Sequence, residues 1–279
     1  MMIIDIHTHP LFEESLSQAP ADLIEKAEAT SFNGWGRKMP LLSLADFERE
    51  MEAAGIDRVV FLMALFKGDP VRAENEELAG LIGQFPDKFI GFAGFDPNQD
   101  QAPAEIEFAV RELGFKGVKT IAATVELDIN DPAYYPAYAK AQELGVPLLT
   151  HTGVGSLLLG YRAKHVSPLM IDDVALDFPD LKIICAHLGA ENFMEVHALL
   201  RRHANVYADL SFWPLNPRYV DLIPWPLFEE TVPDKLLLGS DYPCGQTPAE
   251  AVEAVRRLPV SDGFKAKILG QNAARLLGL

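Results

Sequence analysis

Met2-Ile3-Ile4-Asp5-Ile6-His7-Thr8-His9 is an apolar run that stops on two histidines. Alternate residues of a β-strand face the same side. His7 and His9 therefore project in one direction, about 6.6 Å apart along the backbone, and from there both rings can tilt onto one metal ion. Two ligands do not close a site. Three later runs end on groups of the same chemistry: Pro147-Leu148-Leu149-Thr150-His151, Lys182-Ile183-Ile184-Cys185-Ala186-His187 and Leu236-Leu237-Leu238-Gly239-Ser240-Asp241.

Around these four runs, strand-like and helix-like patterns alternate through all 279 residues. Strands are expected at 2–7, 57–64, 88–95, 115–121, 146–151, 181–187, 205–210 and 235–240. Helices are expected at 43–54, 71–85, 103–113, 132–145, 166–178, 191–203, 218–230 and 248–258, with a last one at 262–277. Near-continuous apolar stretches such as Val59-Val60-Phe61-Leu62-Met63 suit strands covered on both faces.

Eight strands, each followed by a helix, is the (β/α)8 count. An open doubly wound sheet would place its ligand at one switch point. Here the chemical residues end strands 1, 5, 6 and 8, and a closed barrel brings those ends around one mouth. The expected fold is α/β, a single TIM barrel over 1–279 with a long excursion after strand 1 and an extra C-terminal helix. The excursion, 10–42, holds a short helical pattern at 21–29 and the run Ser31-Phe32-Asn33-Gly34-Trp35-Gly36-Arg37-Lys38. Leaving from the catalytic face, it reads as a lid or substrate segment, or as a surface excursion with neither role.

The formal net charge of −16 argues against nucleic-acid binding, which needs a basic stripe, and against docking on an anionic membrane. No apolar run reaches the roughly 18 residues needed to span a bilayer. The start shows no basic n-region or small-residue cleavage site, so a cytoplasmic location is expected. The two cysteines, Cys185 and Cys244, form no CxxC pair. The expected partner is a small-molecule substrate, and oligomeric state is not legible.

Two or three histidines plus a carboxylate form a common ligand set for zinc and related ions. His7, His9, His151 and Asp241 supply one, and Asp241 also suits proton acceptance. One divalent ion, Zn2+ first, is therefore expected. His187 then falls to acid/base or electrostatic work beside the metal, since imidazole titrates near neutrality. His197 and His203 read as outer-ring residues, and His165 belongs to the loop Tyr161-Arg162-Ala163-Lys164-His165. A global field of this sign repels anions, so an acidic substrate would need local positive charge. Arg162 is the candidate fork for a substrate carboxylate, with Lys164, Arg37 and Lys38 as other cations on the same side. Lys119, near the end of strand 4, reads as a lysine bonding substrate or a carboxylate, or as a carbamylated bridge between two metals. Cys185 shares the strand period of His187 and is expected to point inward as packing.

At these residues the chain resembles the amidohydrolase-related metal-dependent TIM-barrel family, and especially its aminocarboxymuconate-semialdehyde decarboxylase-like branch. The marks are Asp5-Ile6-His7-Thr8-His9, Gly114-Phe115-Lys116-Gly117-Val118-Lys119, Thr150-His151-Thr152-Gly153, Ala186-His187-Leu188-Gly189, Asn205-Val206-Tyr207-Ala208-Asp209-Leu210-Ser211, Gly239-Ser240-Asp241-Tyr242-Pro243 and Leu269-Gly270-Gln271-Asn272-Ala273-Ala274-Arg275. The resemblance implies one divalent ion on His7, His9, His151 and Asp241, with His187 catalytic. It also implies one of two activities. Some relatives hydrolyse amides, esters or lactones, and others are non-oxidative decarboxylases or hydratases. The first expectation is a metal-dependent hydrolase acting on a small carboxylate-bearing molecule through activated water. The alternative is a decarboxylase or hydratase.

Overall fold

The computed structural model describes residues 2–12, 42–154 and 160–279. Within them, eight parallel strands lie in sequential order: β1 (Ile4–Thr8), β2 (Arg58–Leu62), β3 (Phe89–Gly94), β4 (Gly117–Thr120), β5 (Leu148–Thr150), β6 (Ile183–Cys185), β7 (Val206–Asp209) and β8 (Leu236–Leu237). The ring closes between β8 and β1. The Ile6 amide donates to Leu238 O at 3.0 Å, the Asp241 amide to His7 O at 2.7 Å, and the His9 amide to Tyr242 O at 2.8 Å. This is a (β/α)8 barrel, as the alternation predicts.

Helices α1 (Leu44–Ala53), α2 (Val71–Ile82), α3 (Ala102–Arg111), α4 (Tyr135–Leu144), α5 (Ile171–Asp177), α6 (Phe193–Arg202), α7 (Trp225–Thr231) and α8 (Pro248–Arg257) follow the strands in turn. Two starts show why these segments are helical. Ser43 accepts from the Asp46 amide at the head of α1, and Thr247 with Glu250 forms a reciprocal capping box at the head of α8. After α8 come α9 (Asp262–Ala266), a π-helical turn at Lys267–Gln271, and α10 (Asn272–Leu277).

Strand alternation sorts the core into two layers. Ile4, Ile6, Val60, Leu62, Phe92, Leu149, Ile184 and Leu237 form an inner cluster, and Ala273 and Leu276 of α10 pack against it. Val59, Phe61, Phe89, Val118, Leu148, Ile183, Val206 and Leu236 join the helices in the outer cluster. Cys185 belongs to this outer cluster, which corrects the inward orientation expected of it. The strand period fails there because β6 ends at Cys185, and His187 adopts a left-handed φ of 59° that turns its side chain off the strand's alternation. Residues 13–41 lie outside the described residues, so the lid reading, Arg37 and Lys38 lie there too. Among the described residues no helix is long and apolar enough to cross a membrane.

Candidate metal centre

All strands run the same way, so their C-terminal ends share one mouth. His7 lies within β1 and His9 just beyond it; His151 follows β5 directly, while His187 and Asp241 sit in the turns after β6 and β8. His187, Leu188, Ala190, Phe212 and Asp241 all have φ between 50° and 59°. Non-glycine residues rarely take this conformation, and it clusters where a site must aim side chains against the run of the chain. Asp5 ties the first and last strands together, its Oδ1 accepting from the His7 amide at 3.1 Å and the Ser240 amide at 3.0 Å.

The five residues form one continuous group. His7 Nε2 is 3.3 Å and His9 Nε2 3.1 Å from Asp241 Oδ1. His187 Nε2 is 3.3 Å from His151 Nδ1, and the His7 and His187 ring centres are 4.9 Å apart. The tightest triple is His7, His187 and Asp241, with one ligand atom of each within 4.8 Å of the others. His187 therefore stands inside the cluster, close enough to be a ligand itself.

Burial governs the electrostatics. It holds the imidazoles of His7 and His187 well below their usual range and pulls His151 down to about 3, with the charge of Lys119 pressing the same way on each. Burial raises the Asp241 carboxyl and pushes Asp5 up to about 7. These histidines are neutral, the form that binds metal.

The donor set fits a divalent cation. Asp209 Oδ2 lies 2.9 Å from His7 Nδ1, so that nitrogen carries the ring proton and Nε2 keeps a lone pair. His7 Nε2 is buried without a hydrogen-bond partner and faces a second acceptor, Asp241 Oδ1. Two buried acceptors this close repel unless a cation or a proton lies between them. Tetrahedral bonds of about 2.0–2.1 Å separate neighbouring ligand atoms by about 3.3 Å, close to the 3.3 and 3.1 Å between Asp241 Oδ1 and the Nε2 atoms of His7 and His9.

Lys119 enters the barrel from β4. It is 1% exposed, its Nζ has no hydrogen-bond partner, and burial lowers its pKa to about 8 against the pull of Asp209 and Asp241. Arg162 is exposed at the head of a short helical turn, Ala163–Val166, where its charge helps lower the Glu126 carboxyl after the larger effect of Lys67. Lys164 is exposed as well. His165 is buried, with Nδ1 2.6 Å from Asp128 Oδ1. His197 meets Thr231 at 2.8 Å and His203 meets Asp172 at 2.6 Å, both in the outer layer.

Two residues of this centre, Asp209 and Ser211, received no role from the sequence. Asp209 ends β7 and contacts His7, the His187 amide and Ser211. The signal was present: Tyr207-Ala208-Asp209-Leu210-Ser211 closes a strand on a carboxylate as Gly239-Ser240-Asp241 does.

Known proteins share the fold. The family model described as Amidohydrolase matches residues 4–279. The γ-resorcylate decarboxylase of Rhodococcus jostii (strain RHA1) is 29% identical over 259 residues, 76% of this chain and 77% of that one. A 2-keto-4-carboxy-3-hexenedioate hydratase of Sphingobium sp. (strain NBRC 103272 / SYK-6) is 28% identical over 229 residues, 68% of this chain and 66% of that one. Among solved structures, a dihydroxybenzoic acid decarboxylase from Polaromonas sp. JS666 with bound manganese superimposes with a TM-score of 0.70 at 20% identity, covering 100% of this chain and 97% of that one.

Proposed function

The chain belongs to the amidohydrolase family, and from that premise we propose that it is a metal-dependent carboxy-lyase, removing CO2 without oxidation from a small, hydroxylated aromatic acid. The observation that carries this reading is a cluster of four histidines, of which His7, His151 and His187 are buried, and one carboxylate, beside Lys119, whose buried Nζ has no hydrogen-bond partner. Hydrolysis, the first expectation from the sequence, gives way to lyase chemistry because the named relatives are decarboxylases and a hydratase. Hydration of an unsaturated acid is the second reading, favoured by the Sphingobium relative.

His7, His9, His151 and Asp241 would hold the ion, which we take to be a single zinc from the nitrogen-rich donor set. Manganese, bound in the Polaromonas structure, is the other candidate. When bound, the ion supplies positive charge and Lewis acidity. Lys119 Nζ pairs with an anionic oxygen of the substrate, which gives the buried ammonium the partner it lacks. His187 carries the proton exchanged with the carbon that loses the carboxylate, a role open to a neutral imidazole in a closed site. Phe212, 1% exposed and 6.2 Å from the His187 ring, helps keep water from that proton.

The test is product analysis. Metal-loaded protein is incubated in D2O with 2,6-dihydroxybenzoate and a set of hydroxybenzoates. Release of CO2 with one deuterium on the ring carbon is the expected result. Water addition or bond hydrolysis without CO2 would overturn it.

A further inference from the structure

We infer that Asp209 and Ser211 form one proton-setting unit that holds both His7 and His187 as Nδ1–H tautomers, so that both Nε2 lone pairs are available to the site. The inference follows from counting hydrogens. Asp209 Oδ1 accepts from the His187 amide at 3.0 Å, from the Ser211 amide at 3.0 Å and from the Ser211 hydroxyl. Amides only donate, so Oδ1 carries no proton, and the one hydroxyl proton of Ser211 goes to it. Ser211 Oγ is then left with lone pairs alone. It lies 2.9 Å from His187 Nδ1 and 3.1 Å from His7 Nδ1. The Ser211 carbonyl, also only an acceptor, is 3.3 Å from His187 Nδ1. Each Nδ1 faces acceptors and carries the ring proton, His187 Nδ1 through its shorter contact with Ser211 Oγ. His187 Nε2 then faces His151 Nδ1 at 3.3 Å, and His151 Nε2 meets the Gly153 carbonyl at 3.2 Å, so these two ring nitrogens oppose one another as His7 Nε2 and Asp241 Oδ1 do.

The packing around the unit is tight. A Cβ added at Gly239 would lie 2.9 Å from the Cβ of both His7 and Ser211, and 3.4 Å from Asp209 Oδ1. Glycine at this position lets β8 close on the unit. Its two histidines are held unequally. His7 has its own carboxylate oxygen, Asp209 Oδ2 at 2.9 Å, whereas His187 Nδ1 has the Ser211 hydroxyl oxygen and, farther off, the Ser211 carbonyl, with His151 Nδ1 facing its other nitrogen. Asp209 and Ser211 touch no reacting atom, so they are positioning residues. A His187 that rests with a bare Nε2 must take a proton before it gives one, and the substrate's own hydroxyl or a water must bring it. That consequence rests on the carboxy-lyase reading; the tautomers do not.

The full chain labelled with 15N-histidine, both metal-free and zinc-loaded, is studied by long-range proton–nitrogen correlation, with assignments from His7→Asn and His187→Asn. Both histidines should show a protonated Nδ1. In Ser211→Ala, His187 should move to a mixture of tautomers while His7 stays unchanged, and kcat should fall about 10- to 100-fold, the usual weight of an outer partner, with KM held. In Asp209→Asn both patterns should change. A wild-type His187 protonated on Nε2, a His187 pattern unmoved by Ser211→Ala, or a His7 that shifts along with it would overturn the inference. None of the tautomer results depends on which reaction the site performs.

Discussion

His7 Nε2 and Asp241 Oδ1 stand 3.3 Å apart with both atoms offering lone pairs, inside a site where the His7 ring is fully buried. Asp241 Oδ1 also meets His9 Nε2 at 3.1 Å, but His7 Nε2 has no hydrogen-bond partner among the described residues. The arrangement is stable as part of a coordination sphere and costly otherwise.

The first prediction follows from this pair. Purified protein should carry one divalent ion per chain by metal analysis. Asp241→Asn and His7→Asn should each weaken binding by more than the roughly 10- to 100-fold that outer partners contribute. A stoichiometry near two, with a carbamate on Lys119 seen by mass spectrometry, would sink the single-ion assignment.

The role of His187 can be separated from that of the ligands. His187→Asn should keep most of the metal and lose about 10²- to 10⁴-fold in kcat, the weight of a positioned proton carrier. Metal content falling in step with activity would make His187 a ligand, which its place in the tightest triple allows.

Lys119 and Arg162 make opposite demands on the same idea. Arg162, the first choice for the substrate's carboxylate from sequence, is exposed on the rim, whereas Lys119 is buried in the barrel. Lys119→Met should therefore lower kcat/KM for an acidic substrate about 10- to 100-fold, in line with a charged hydrogen bond. Arg162→Met should cost less than about fivefold. The reverse order, measured on the same acid, would return the clamp to Arg162.

His151 makes a prediction about acid stability. Burial lowers its folded pKa to about 3 from the ordinary 6.5. The unfolded chain binds a proton here between those values and the folded chain does not. The stability of the neutral ring is therefore complete above pH 6.5 and is lost as pH falls toward 3. Relative to His151→Asn, the metal-free wild type should lose about 2 kcal/mol between pH 7.5 and 5, at about 1.4 kcal/mol per unit below 6.5. Urea unfolding at the two pH values measures it, and a pH-independent difference would show that His151 is not held neutral.

The apolar runs and their terminal groups were enough to read the barrel and to single out His7, His9, His151, His187 and Asp241. Strand period and strand ends are local properties, written in consecutive residues. Asp209 and Ser211 received no role from the sequence, although their run ends a strand on a carboxylate, because that role is to satisfy ring nitrogens of His7, more than two hundred positions away, and of His187. Cys185 was misread because a left-handed turn at His187 breaks the period one residue past β6. Arg162 and Lys119 could not be ranked from sequence, since a charge in a loop and a charge in a strand look alike until the barrel decides which one water reaches. The sequence by itself determined the eight-stranded architecture and the chemistry of its strand ends. Which lone pairs face one another, which cation is left without a hydrogen-bond partner, and which carboxylate sets the tautomers were decided only when ring closure brought β1 against β8 and put His7 within reach of Asp209 at the end of β7, because hydrogen-bond partners are assigned by distance in space and not along the chain.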